Sequence, residues 1–286
     1  MSTVGMAHLM VSALAVLVAV PAPAAADPLA SDWAEAHGGK ARLIVGSAAL
    51  AGSSAPRLVA GIEVRLAPGW KTYWRSPGDS GGLPPQFDWS QSTNLASAKV
   101  LYPAPSRFKD ALGDALGYSG SVIFPVELRR KDGLKPVELH LSLLYGICHE
   151  ICVPAEAQLK LQVPAGATVP AHPGISAALS AVPRSSGERQ PDDPELISKD
   201  AHLDGDRPKL VLEARFPNAA KSADIIIEAP EGGYVPLPVK TTTNGDTVRF
   251  VADLTQGAEP DALRGKTLRI TMISGAGQSE ALWTLE

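Results

Sequence analysis

Apolar and polar residues alternate with a period of two along much of this chain. In VELHLSLLY (137–145), Val137, Leu139, Leu141 and Leu143 are interleaved with Glu138, His140 and Ser142, which puts the apolar set on one face of a strand. Runs at 41–66 (broken at Gly52-Ser53-Ser54), 121–129 and 157–163 read the same way, separated by Gly, Pro and Asp punctuation. After residue 195 the rhythm resumes at 209–216, 223–229, 234–240, 246–254 and 267–273, with a hairpin signal at Asn244-Gly245. Helical periodicity is confined to a short stretch, GISAALSAV at 174–182. PRSSGERQPDDP (183–194) is too rich in Pro, Ser and charge to bury much and reads as a linker. Short strands with no helices alternating between them predict an all-β chain of two antiparallel β-sandwiches, 27–182 and 195–286, joined by that Pro/Ser-rich linker.

The pattern fails at the start of the chain. Residues 9–20, LMVSALAVLVAV, form an apolar run interrupted only by Ser12 and are followed by Pro21, Pro23 and Ala24-Ala25-Ala26. That is the layout of a signal peptide, 1–26, although MSTVGMAH ahead of it carries no Lys or Arg. The run is too short to span a bilayer comfortably, and no later stretch approaches the 18 or so apolar residues that would. The expectation is a soluble exported chain without a transmembrane segment, working in an oxidising compartment such as the periplasm.

Composition narrows the chemistry. With 26 Lys and Arg against 30 Asp and Glu, there is no basic surplus to neutralise phosphates, so no nucleic acid partner is expected. Two cysteines in 286 residues cannot make an all-cysteine zinc site or a disulfide-dense scaffold, and a chain of this length does not need one to fold. They occur as Cys148-His149-Glu150-Ile151-Cys152. A bridge between them closes so small a loop that it stabilises by only about 2 kcal/mol. Such a bridge suits opening and closing better than holding distant strands together, since exposed or strained disulfides tend to be the labile ones. His149 favours a thiolate and Glu150 opposes it, and the sequence leaves the balance open. A structural staple and a copper(I) or zinc site using both cysteines and His149 are the competing readings, though a structural zinc site wants four ligands and the other histidines are scattered.

Nine of the fifteen aromatic residues lie between 70 and 124, which suggests one large core or one binding face. Inside that span PGDSGGLPP (77–85) has too much Gly and Pro for a sheet interior and is expected to be an ordered surface loop.

At these residues a resemblance becomes specific. PGWKTYWRSPGDSGGLPP (68–85), Tyr-Pro-Ala-Pro at 102–105, Gly117-Tyr118 and Tyr-x-x-Cys-x-x-x-Cys-x-Pro at 145–154 together resemble the periplasmic N-terminal domain of the thiol:disulfide interchange protein DsbD, in its ScsB-like branch. The resemblance spans roughly 40–165. It implies an immunoglobulin-like sandwich whose cysteines take electrons from a membrane electron-donor protein and pass them to periplasmic thioredoxin-like proteins, with no cofactor and no metal. By position, Cys148 and Cys152 match the redox pair, with Tyr145, His149, Glu150 and Pro154 around it. Asp79, Ser80, Gly81, Gly82 and Leu83 match a cap loop that shields the pair until a partner docks. The same analogy makes Cys152 the attacking thiol. The cysteine-free second sandwich is expected to be a spacer or docking module, and the electron donor a separate protein. The alternative from another class is a non-enzymatic periplasmic binding or copper-handling protein with a structural disulfide.

Overall fold

A computed structural model describes residues 29–286 apart from 51, 52, 54, 111, 112, 167, 168, 231 and 232. The expected signal peptide lies outside the described residues. Eleven strands come first: β1 (Ala34–Ala36), β2 (Gly39–Ala48), β3 (Arg57–Leu66), β4 (Lys71–Gly78), β5 (Gln86–Asp88) and β6 (Leu95–Val100). They continue with β7 (Ser106–Asp110), β8 (Gly113–Ser119), β9 (Ser121–Arg130), β10 (Val137–Cys148) and β11 (Cys152–Val163). Helix α1 (Pro173–Ser180) is followed by β12 (Arg184–Ser185), β13 (Glu195–His202), β14 (Lys209–Arg215) and β15 (Asp224–Glu228). The chain ends with β16 (Val239–Asn244), β17 (Thr247–Asp253), helix α2 (Pro260–Leu263), β18 (Thr267–Ile273) and β19 (Gln278–Thr284).

Among the described residues these strands form four sheets. The first two, in the orders β1-β2-β3-β9-β6 and β11-β10-β4-β8-β7 with β5 also on β10, make one immunoglobulin-like sandwich. The other two, β12-β19-β18-β15 and β13-β14-β17-β16, make a second. Named strands pair antiparallel except β12 with β19. The period-two reading of 137–145 holds: Val137, Leu139, Leu141, Leu143, Tyr145 and Ile147 all face the first core, where Trp74 and Phe124 also lie. Each of these large side chains contributes about 1.5–3 kcal/mol by leaving water. Leu210, Leu212, Phe216, Phe250 and Ile270 do the same for the second core. At Asn244-Gly245 the hairpin forms, with Asn244 paired to Thr247 and Gly245 at φ 58°, a sign that L side chains disfavour.

Two stretches depart from the simple pattern. The run 234–240 becomes a strand only from Val239, because Pro236 and Pro238 have no N–H for a ladder. The stretch 183–194 does not hang free. Arg184 and Ser185 add to β19, Arg184 pairs at 2.8 Å with a buried Asp193, and the Ser279 hydroxyl donates to the Pro194 carbonyl at 2.6 Å.

The two sandwiches meet through a half-buried set of charges. Arg75, on β4, grips Glu228 through two hydrogen bonds of 2.8 and 2.7 Å and also reaches Glu280, while its guanidinium lies 4.3 Å from the Trp74 ring centre. Arg107, on β7, holds Asp224 in the same bidentate fashion at 3.0 and 2.6 Å. Ile226 and Leu237 of the second sandwich pack into the core cluster of the first. Arg75→Met would leave two carboxylates facing each other without their cation. It is expected to lower stability by about 3 kcal/mol, measured by urea unfolding. On the other face of the first sandwich, burial works to raise the pKa of Glu63, but Arg42 and Arg65, each 2.7 Å away, outweigh it and hold the carboxyl below its ordinary 4.5. A depressed folded-state pKa contributes stability that is present above 4.5 and lost as pH falls through the lowered value. Glu63→Gln is therefore expected to be less stable than wild type at neutral pH, with the gap closing in melts recorded below pH 4.5.

Candidate functional site

The site is built by the β10–β11 hairpin. Its register runs without a break from Val137↔Val163 to Cys148↔Cys152, so the two cysteines face each other as the last cross-strand pair and are joined as a disulfide. Alternation puts them on the sheet face opposite Tyr145 and Ile147. Tyr145 therefore precedes the pair in sequence while its side chain lies in the core, where burial raises the phenol pKa and the hydroxyl has no hydrogen-bond partner among the described residues. The sulfurs differ in access. Cys148 is 8% exposed, within a cluster of Tyr73 and Ala115 packed against by Phe108. Cys152 is exposed, beside a connecting turn whose Ile151 is 74% exposed.

Two residues of β4 complete the site. The Tyr73 hydroxyl lies 3.0 Å from both Sγ atoms. Disulfide sulfurs carry no proton, so the phenol is the donor, its single O–H shared between the two contacts. Lys71 pairs with Cys148 across β4 and β10, which puts it on the same face, and its Nζ lies 4.9 Å from the Phe108 ring centre. A phenol donor and an ammonium on that face both favour a thiolate over a thiol. Neither residue stands out in the sequence, beyond Tyr73 being one of the clustered aromatics. The signal is in Lys71-Thr72-Tyr73-Trp74, where the first and third residues share one face, but Thr72, Tyr73 and Trp74 are all buried and hide the alternation.

The loop expected as a cap does lie against the site. The Gly146 N–H donates to the Leu83 carbonyl at 3.0 Å, and the Gly146 carbonyl accepts from the Thr72 hydroxyl at 2.8 Å. Gly146 thus uses both backbone groups away from its partner Pro154, which has no N–H to offer and sits on edge strand β11. Gly82 crosses the Tyr73 ring so closely that a Cβ would fall 2.3 Å from it, at a φ of 148°, so only glycine fits. Leu83 is half-buried beside it, and Ser80 and Gly81 lie farther along the loop. His149 is exposed and tilted against Trp70, with ring centres 5.6 Å apart, and Trp70 meets His37 edge-on. Glu150 is exposed at the turn. Among the described residues no group of three or more His, Cys, Asp or Glu side chains is placed to hold a metal ion.

In the reduced protein, a hydrogen bond from Tyr73 to a thiolate is worth about 1.5–3 kcal/mol, equivalent to about one to two pKa units. Tyr73→Phe is expected to raise the pKa of the more acidic cysteine by that amount, followed by thiolate absorbance during a pH titration.

Comparison with known proteins bears on the fold and the family. Residues 42–164 match the family described as thiol:disulfide interchange protein DsbD, N-terminal. Residues 181–286 match a domain of unknown function, DUF8393. Among solved structures, the N-terminal periplasmic domain of ScsB from Proteus mirabilis aligns at 24% identity with a TM-score of 0.67, covering 90% of this chain and 98% of that one. Bovine butyrophilin aligns at 10% identity over 80% of this chain and 91% of its own, with a TM-score of 0.22 that carries no argument. No curated protein matches the chain. Residues 42–164 are therefore a domain of the DsbD N-terminal type, from a thiol-disulfide interchange family, and the chain as a whole has the fold of the ScsB N-terminal periplasmic domain.

Proposed function

We propose that this protein is a periplasmic thiol-disulfide relay in which Cys148 and Cys152 carry two electrons from a separate membrane donor of DsbD/ScsB type to thioredoxin-like proteins. The observation that carries the reading is the asymmetry of the pair: Cys152 is exposed at the hairpin tip, while Cys148 is buried against Tyr73. In the reduced pair the Cys152 thiolate attacks one sulfur of the partner's disulfide, and the partner's other sulfur leaves as a thiolate. Cys148, as thiolate, then attacks Cys152 Sγ and displaces the partner's first sulfur. The partner ends as a dithiol and the pair as a disulfide. Two electrons have moved to the partner, and the donor must return two to restart the cycle.

Lys71 and Tyr73 support this role by favouring the thiolate that each step needs. The signal-peptide layout of 1–26 and the periplasmic site of the ScsB domain support export. The division into a redox sandwich (27–182), a linker (183–194) and a cysteine-free sandwich (195–286) gives the second unit a supporting role. Cys148→Ser, which leaves the exposed sulfur without its resolving partner, is expected to accumulate a mixed disulfide with an oxidised thioredoxin-like protein, while Cys152→Ser traps far less. Both are read on non-reducing gels. If neither variant traps a partner, or if the pair is more reducing than about −300 mV, the disulfide is a structural one and the relay reading is wrong.

A further inference from the structure

The loop that lies against Tyr73 and Gly146, beside the redox pair, is fastened to both sandwiches. At Leu83 it is held by the Gly146 amide, next but one to Cys148. At Asp79 it is held by the second sandwich: the Tyr234 hydroxyl donates to Asp79 Oδ1 at 2.8 Å, and the Leu237 N–H donates to the same oxygen at 3.0 Å. Between these ends Gly82 lies on the Tyr73 ring, and Tyr73 touches both sulfurs. A continuous set of contacts thus runs from the second sandwich to the disulfide.

The segment that grips Asp79 is built for reaching out. Pro236 and Pro238 flank Leu237 and keep 234–238 out of any ladder, which leaves the Leu237 N–H to go across the interface. The Leu237 side chain anchors the segment in the first core. Tyr234, by contrast, is 38% exposed, so water can compete for its hydroxyl and that hydrogen bond can open at small net cost. The Asp79 backbone is braced as well, its N–H donating to the Asp114 carbonyl at 2.9 Å, while Asp114 faces Arg107, which holds Asp224 of the second sandwich.

We propose that Asp79, Tyr234 and Leu237 form a latch through which the cysteine-free sandwich holds the loop against Tyr73 and so sets how fast the Cys148–Cys152 disulfide opens and closes. The inference rests on the Cys148–Cys152 pair being an exchanging one. Asp79 and Tyr234 are then positioning residues, acting through Gly82 and Tyr73, and the second sandwich regulates exchange that it cannot itself perform.

The test is the rate at which dithiothreitol reduces the full chain. Its thiolate attacks Cys152 Sγ, Cys148 leaves as a thiolate, and the second dithiothreitol sulfur displaces Cys152 as the reagent closes to its cyclic disulfide. Two electrons and two protons pass to the pair. Tyr234→Phe, which removes one hydrogen bond, is expected to speed this reduction, and reoxidation by the cyclic disulfide, by about fivefold, and Asp79→Ala, which removes two, by more. The equilibrium constant with dithiothreitol should stay unchanged, because a gate alters both directions alike. Asp79→Asn, which keeps an acceptor oxygen, should remain near wild type. Rates within about twofold of wild type in both variants, or a shift in the equilibrium constant as large as the shift in rate, would overturn the latch. If Asp79→Ala does not fold by circular dichroism, Tyr234→Phe, which keeps its ring, decides the matter. If the wild-type protein reacts with dithiothreitol but neither cysteine variant traps a thioredoxin-like partner, the relay reading is wrong, and the latch still stands or falls on these rates.

Discussion

The antiparallel pairing of β10 with β11 continues through twelve residue pairs without a bulge, and because side chains alternate across a strand, each pair settles the face of the next. A slip of one residue would send Leu139, Leu141, Leu143 and Tyr145 into solvent and carry the cysteines out of opposition. The same register therefore makes the hydrophobic core and juxtaposes the sulfurs. The core residues, not the bond between the sulfurs, hold the hairpin in place. This allows the bond to break and reform without loss of the fold, since so short a loop gains little stability from closure.

Strand β4 relates this hairpin to the rest of the molecule. On one face Tyr73 touches both sulfurs and Lys71 lies across from Cys148, whereas Trp74 enters the core and Arg75 crosses to the second sandwich. Four of the five consecutive residues 71–75 thus serve the disulfide, the core and the interface. The ion pairs at that interface are half-buried and bidentate, a geometry in which the planar guanidinium fits a carboxylate in one orientation. They fix how the second sandwich sits, and so fix where Tyr234 and Leu237 meet the loop.

Much of this is legible in the residues. Period two identifies β9 and β10, and two cysteines four positions apart single out the end of the β10–β11 hairpin, where they are joined, as the candidate site. What stays hidden has physical causes. Tyr73 and Lys71 belong to a strand whose middle is buried on both faces, so it shows no alternation. Tyr145 stands next to the motif in sequence yet faces the opposite side, which only the strand's phase reveals. The run 234–240 looks like a strand by composition, but its two prolines turn it into a bracing segment. The Pro- and Ser-rich stretch at 183–194 is polar along its length, yet Asp193 is buried by its pairing with Arg184, a contact that composition cannot foresee.

The charges between the sandwiches also carry an evolutionary consequence. Arg75 answers to Glu228 and Glu280, and Arg107 to Asp224. These positions cannot drift one at a time, because a lone change strands a half-buried charge. Recombination that joined the first sandwich of one lineage to the second of another would face the same barrier unless both lineages kept matching charges. The two units are therefore expected to be inherited together, as a pair whose sequences change in step at these acidic and basic sites while their outer faces diverge freely.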